Sequence, residues 1–160
     1  MNGEPAPDLL LPSILDRLLD EQSTDRYVGQ TLDDLKAAVA RDLEAFLNTR
    51  RRCITPPKDL KELNRSVVDY GLDDFTATSM ATASRREQFR GSVEAAILRY
   101  EPRFLAVEVT ILANDTAEDR TLRFRIEGLL HAEPVPEPLV LDSRIDPVTN
   151  RCEVKESMDG

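Results

Sequence analysis

The chain has 160 residues, with 30 acidic side chains against 21 basic ones, and a formal net charge of −9. That length fits one domain with a short tail, and 41% hydrophobic residues exclude a chain disordered throughout. The negative balance excludes a general binder of nucleic-acid backbones, which needs a concentrated positive face, and it disfavours adsorption to anionic membranes.

Residues 1–8 carry Pro5 and Pro7 among polar neighbours and read as a flexible tip. A short amphipathic helix is expected over 9–20, where Leu11, Ile14, Leu15 and Leu18 share one side after Pro12 and Ser13. Two to three turns do not hold alone in water, so this helix must dock, on its own core or on a partner. No basic leader precedes it and no apolar run reaches the ~18 residues of a membrane span, so a cytoplasmic location without membrane insertion is expected.

One folded domain is expected over 25–156. It opens with a longer helix from Thr31, which offers a cap together with Asp33 and Asp34, while Leu35, Val39, Leu43, Phe46 and Leu47 keep helical spacing. Arg50, Arg51 and Arg52 read as its solvated, cation-rich end. Thr55-Pro56-Pro57 closes the segment, residues 58–68 read as a short helix or helical turn, and Gly71 is placed as a left-handed cap. The next helix spans 84–100 with the stripe Phe89, Val93, Ala96, Ile97 and Tyr100, and Pro102 ends it.

Beyond Pro102 the period becomes two. Leu105, Val107, Val109 and Ile111 alternate with polar or small residues, as do Leu122, Phe124 and Ile126 after a turn at 114–119, which makes an antiparallel pair. The proline-rich run 133–138 is read as an extended connection to another edge, since proline has no ladder donor. Leu139, Leu141 and Ser143 then alternate, and a turn at 146–150 leads into 151–155 as a second hairpin. The fold class is α+β, with N-terminal helices on one face of a C-terminal antiparallel sheet of about four strands.

The chain carries little that points to chemistry. His131 is the lone histidine, and Cys53 and Cys152 match no metal spacing and read as reduced, buried or half-buried thiols. No Gly-rich phosphate loop is present, so no catalytic, cofactor-binding or metal-binding residue is assigned. The adjacent acids Asp33-Asp34 and Asp73-Asp74 sit where caps form, and a glycosidase needs two carboxyl groups across a cleft. Of the basic residues 17 are arginines, whose planar fork suits ion-paired surfaces. Glu101 is the odd one out, because the negative end of a helix disfavours a carboxylate. With Pro102 stiffening the corner and Arg103 following, it forms a charged knuckle able to pair internally or with a partner.

Several stretches carry a resemblance: Leu11-Pro12-Ser13-Ile14-Leu15-Asp16-Arg17-Leu18, Leu63-Asn64-Arg65 through Phe75, Arg86-Glu87-Gln88-Phe89-Arg90, Tyr100-Glu101-Pro102-Arg103, Leu122 through Leu130, and the prolines of 133–138. Together they resemble the baseplate wedge family of contractile injection machines, and within it the TssE-like subunits of type VI secretion. The resemblance covers roughly residues 9–155. It implies a structural part that starts sheath assembly on the baseplate. Partner binding falls to Glu101, Pro102 and Arg103, the partners being the wedge proteins TssF, TssG and TssK and the sheath subunits TssB and TssC. A lysozyme label attached to some members finds no acid pair here. Two other classes remain alternatives: a soluble regulatory adaptor of the same fold, and a peptidoglycan hydrolase.

Overall fold

The computed structural model describes residues 18, 31–52, 57, 59–60, 62–63, 66–73, 82–114, 119–132, 135–146 and 148–157. The N-terminal tip, the docking helix apart from Leu18, Cys53, Asp74 and the core of the 114–119 turn lie outside them.

Helix α1 covers Leu32–Leu47 and begins with a reciprocal cap: Thr31 accepts from the Asp34 N–H, and the Asp34 carboxylate accepts from the Thr31 N–H at 3.0 Å. Its buried face is Leu35, Ala38, Val39, Leu43, Phe46 and Leu47, which contains the expected stripe. Helix α2 covers Ala83–Tyr100, capped by Thr82, and buries a single line, Phe89, Val93 and Ile97. The strands follow in order: β1 Phe104–Leu112, β2 Leu122–Leu130, β3 Glu137–Ile145 and β4 Cys152–Glu156. They form one antiparallel sheet in the order β1-β2-β3-β4.

One cluster of buried side chains joins both helices to all four strands. At its centre Phe89 of α2 meets Phe124 of β2 edge to face, with centroids 5.4 Å apart. Burial of such rings is the main term holding helices to sheet. Helix α2 packs on β1 and α1 on β4, so each helix sits over one edge of the sheet.

Four expectations are corrected. Leu105, expected on the inner face, is half exposed, because the register shifts between Phe104 and Ala106. That bulge turns Phe104 inward in its place. The run at 133–138 does not carry the chain to another edge: β2 and β3 pair directly, and Pro138, within β3, stands opposite Leu129. The sheet tolerates this proline because β4 begins to cover β3 only from Leu141, so near Pro138 β3 is locally an edge.

Helix α1 stops at Leu47 with no basic residue in its last turn, so the arginines at 50–52, of which Arg50 and Arg52 are exposed, lie beyond the helix end. Arg50 reaches the Asn150 carbonyl at 3.1 Å, and Arg51 pairs with Asp69 and Asp73. Gly71 has the expected positive φ, 111°, but its role is close approach rather than a helix cap. A Cβ there would lie 2.7 Å from the Thr49 carbonyl oxygen and 2.9 Å from the Arg51 nitrogen. The described residues of 57–70 form successive turns, with Leu60, Leu63, Ser66, Asp69 and Tyr70 each donating three residues back.

Candidate functional site

The Glu-Pro-Arg corner lies where α2 hands over to β1. The helix ends on Glu101, whose N–H still donates to the Ile97 carbonyl at 2.8 Å. Its carboxylate therefore sits at the negative end of the helix, which by itself costs stability. Arg103 offsets this. Its Nε donates to Glu101 Oε1 at 2.7 Å and its Nη2 to Oε2 at 2.6 Å, a bidentate pair across the exposed Pro102. The Arg103 N–H adds a third bond to Oε1 at 3.2 Å.

A third charge completes the corner. Arg103 Nη2 also donates to Asp42 Oδ2 of α1 at 2.7 Å. The hydrogen bonds to Glu101, and after them those to Asp42, hold the guanidinium well above its usual range, against the opposing effect of burial. The Arg103 carbonyl accepts from the His131 N–H at 2.7 Å, tying the corner to the end of β2. One guanidinium thus joins α1 to the end of α2, and Arg41, which pairs with Asp42 Oδ1 at 3.0 Å, balances the second acid of the trio. Arg103 Nη1 has no partner among the described residues.

Beside the trio lies an aromatic cluster. Phe46, Tyr70 and Tyr100 pack with centroids 5.0 to 5.7 Å apart. Burial, then the negative charges of Glu101 and Asp42, push the Tyr70 phenol up. The Tyr100 hydroxyl donates to the Asp69 carbonyl at 2.9 Å, and Asp69 is paired with Arg51 and with Arg99 at 2.8 Å. These contacts fix segment 66–73 against the junction.

The three residues singled out in the sequence are therefore brought together, and Glu101 pairs internally. Sequence reasoning missed Asp42 and Tyr70. Asp42 had a signal: three residues after Val39 and four before Phe46, it flanks the apolar stripe, where an acid can face a neighbouring element.

Both sheet edges are also met by helix side chains, which no local pattern announced. At β4, Asn48 accepts from the Cys152 N–H at 2.9 Å and donates to the Cys152 carbonyl at 2.8 Å, while Glu44 accepts from the Val154 N–H at 3.1 Å. At β1, Glu94 of α2 accepts from the Val109 N–H at 2.9 Å. Cys152 itself is a buried free thiol, its pKa pushed up to about 12 by burial first and by Glu44 and Glu153 second. No activated nucleophile results.

A family model described as baseplate wedge protein gp25 matches residues 33–135, which include all but the first residue of α1, and α2, β1, β2 and the corner. The chain belongs to that family. No curated protein matches it. Among solved structures, a chain from "The baseplate complex from the type VI secretion system" is similar at 18% identity and a TM-score of 0.49, covering 71% of this chain and 96% of that one. Among the described residues no helix is long and apolar enough to cross a membrane.

Proposed function

We propose that this baseplate wedge protein is the TssE-like subunit of a type VI secretion baseplate, acting in the cytoplasm as a structural part rather than a catalyst. It binds other wedge proteins (TssF, TssG, TssK) through the Glu101-Pro102-Arg103 corner and links the baseplate to sheath subunits (TssB, TssC) by accepting a strand at a sheet edge. The observation that carries the docking role is the corner itself. A proline is held at the surface between two side chains locked by a bidentate ion pair, and no described residue bonds Arg103 Nη1. Such a preorganised knuckle binds without the entropy cost of ordering long side chains.

The test is co-purification with the wedge proteins encoded beside the gene. Glu101→Ala with Arg103→Ala abolishes retention of the wedge partners. Because that pair also holds the fold, Pro102→Glu serves as a second variant: it alters the exposed tip and leaves the internal pair in place. Full retention by both variants, each with a native unfolding transition, would sink the corner assignment.

A further inference from the structure

Strand addition requires an edge whose outward N–H and C=O groups a partner can reach, and the two edges differ in this respect. On β4 the outward groups of Cys152, both N–H and C=O, are consumed by Asn48, and the Val154 N–H by Glu44. A groove of about 690 Å³ lies there, but Glu44 and Asn48 line it and hold the strand. β4 is also only 5 residues long.

β1 is longer, at 9 residues, and no described strand pairs with its outer side. The Val109 N–H points away from β2, so by antiparallel alternation the N–H and C=O groups of Val107 and Ile111 do as well. A side-chain hydrogen bond from α2 reaches this row: Glu94 places Oε1 where the carbonyl oxygen of an added strand would sit. That same oxygen also accepts from Arg90 Nη1 at 2.5 Å, so the carboxylate keeps a cation when it leaves the strand. Alongside runs a groove of about 520 Å³ between the first half of α2 and residues 108–111.

The outer face supplies a charge signature. Glu108 of β1 stands directly opposite Glu127 of β2, both are exposed, and neither is ion-paired among the described residues. Like charges facing each other across a ladder destabilise it, and a cation on a third strand beside Glu108 relieves the repulsion.

We infer that β1 is the docking edge, that Glu94 is a displaceable plug occupying it in the free subunit, and that the occupant is an extended segment of a partner protein carrying Lys or Arg opposite Glu108. This rests on the strand-addition reading of the function. In the free protein the plug satisfies the Val109 N–H and keeps the edge from pairing at random. On docking, a backbone carbonyl replaces Glu94, which stays with Arg90.

Hydrogen exchange read by mass spectrometry, on the full chain with and without the purified sheath subunits, tests this. Sheath binding protects amides in 107–111 and leaves 152–156 unchanged. Glu94→Ala, which removes the competitor, binds roughly tenfold more tightly, and Glu94→Gln, which keeps a weaker acceptor, falls between it and the parent. Glu108→Lys weakens binding at least tenfold without changing the thermal transition by more than a few degrees. Binding that protects β4 or the 101–103 corner with 107–111 unchanged would overturn the edge assignment while leaving sheath linkage standing. So would weaker binding by a folded Glu94→Ala. Protection of 107–111 in the free chain that grows with its own concentration would assign the edge to a second copy. No binding by the parent or by Glu94→Ala overturns both the inference and the linkage on which it rests.

Discussion

At Gly128 the missing side chain is a steric requirement. A Cβ built there would fall 2.2 Å and 2.5 Å from two carbons of the Phe104 ring, which the β1 bulge has turned inward across the sheet. Gly128→Ala should therefore destabilise the fold by about 1–3 kcal/mol, as overpacking does, and Phe104→Leu in the same chain should recover part of the loss. Urea unfolding of the three variants checks this; additive losses would show that the two positions do not share space. A second residue-scale expectation concerns Cys152. Its folded thiol is raised to about 12, above the ordinary value of about 8.5, so the folded state holds its proton where the unfolded state releases it. The corresponding stability is fully present below about pH 8.5 and is lost as pH rises toward 12. Unfolding measured across this range should fall off more gently in Cys152→Ala than in the parent. In the folded chain at neutral pH, Cys152 should also react with thiol reagents only at the rate of unfolding.

For the elements, much was legible in advance. Both helices are signalled because their apolar residues recur at helical spacing and Thr31 and Pro102 mark ends, and the strands because Phe124, Ile126, Leu139 and Leu141 alternate strictly. Leu105 departs from its expected face because a bulge adds one residue, and in a period of two this reverses the face; nothing in Phe104-Leu105-Ala106 marks the slip. The contacts of Asn48 and Glu44 with β4 were illegible for another reason. They join residues 104 and 110 positions apart, and no local spacing encodes them. The Glu-Pro-Arg corner lies between these cases: its internal pair is local, whereas the third member, Asp42, comes from 61 positions away. Asn48→Ala should cost about 1–3 kcal/mol, since it strands a backbone donor and acceptor at Cys152. Asn48→Asp keeps an acceptor for the N–H and loses the donor to the carbonyl, so its thermal midpoint should fall between those of the parent and the alanine variant.

For the whole molecule, charge is organised as local pairs on a negative background. Arg125 pairs with Asp142 across β2 and β3, and Arg144 with Glu153 across β3 and β4, on the face away from the helices. The Asp142 carboxyl is lowered, first by its bond to Arg125, and Asp119 and Asp146 are lowered mainly by bonds to Thr121 and to the Thr149 N–H. Groups lowered on folding contribute stability above their unfolded values near 4, and that contribution disappears as pH falls through the folded ones. Acid unfolding should therefore set in below about pH 4, and Asp142→Asn should flatten the acid limb. A stability that rises between pH 4 and pH 2 would contradict this account and would give the larger share to relief of the −9 net charge.

The pairing of α1 with β4 also dictates an order of events during synthesis. Every described strand pairs with its neighbour in sequence, so the sheet can zip forward as the chain grows, one hairpin at a time. Helix α1, the first of the six described elements to emerge, has its dock on the last. Until Cys152 and Val154 arrive, Glu44 and Asn48 have no strand to hold and the stripe from Leu35 to Leu47 lacks part of its cover. The native state is thus sealed at its C-terminal strand, and a chain cut after Asn150 should keep helical signal while losing fixed aromatic packing. A native near-ultraviolet spectrum from that fragment would show that the helix docks without its strand.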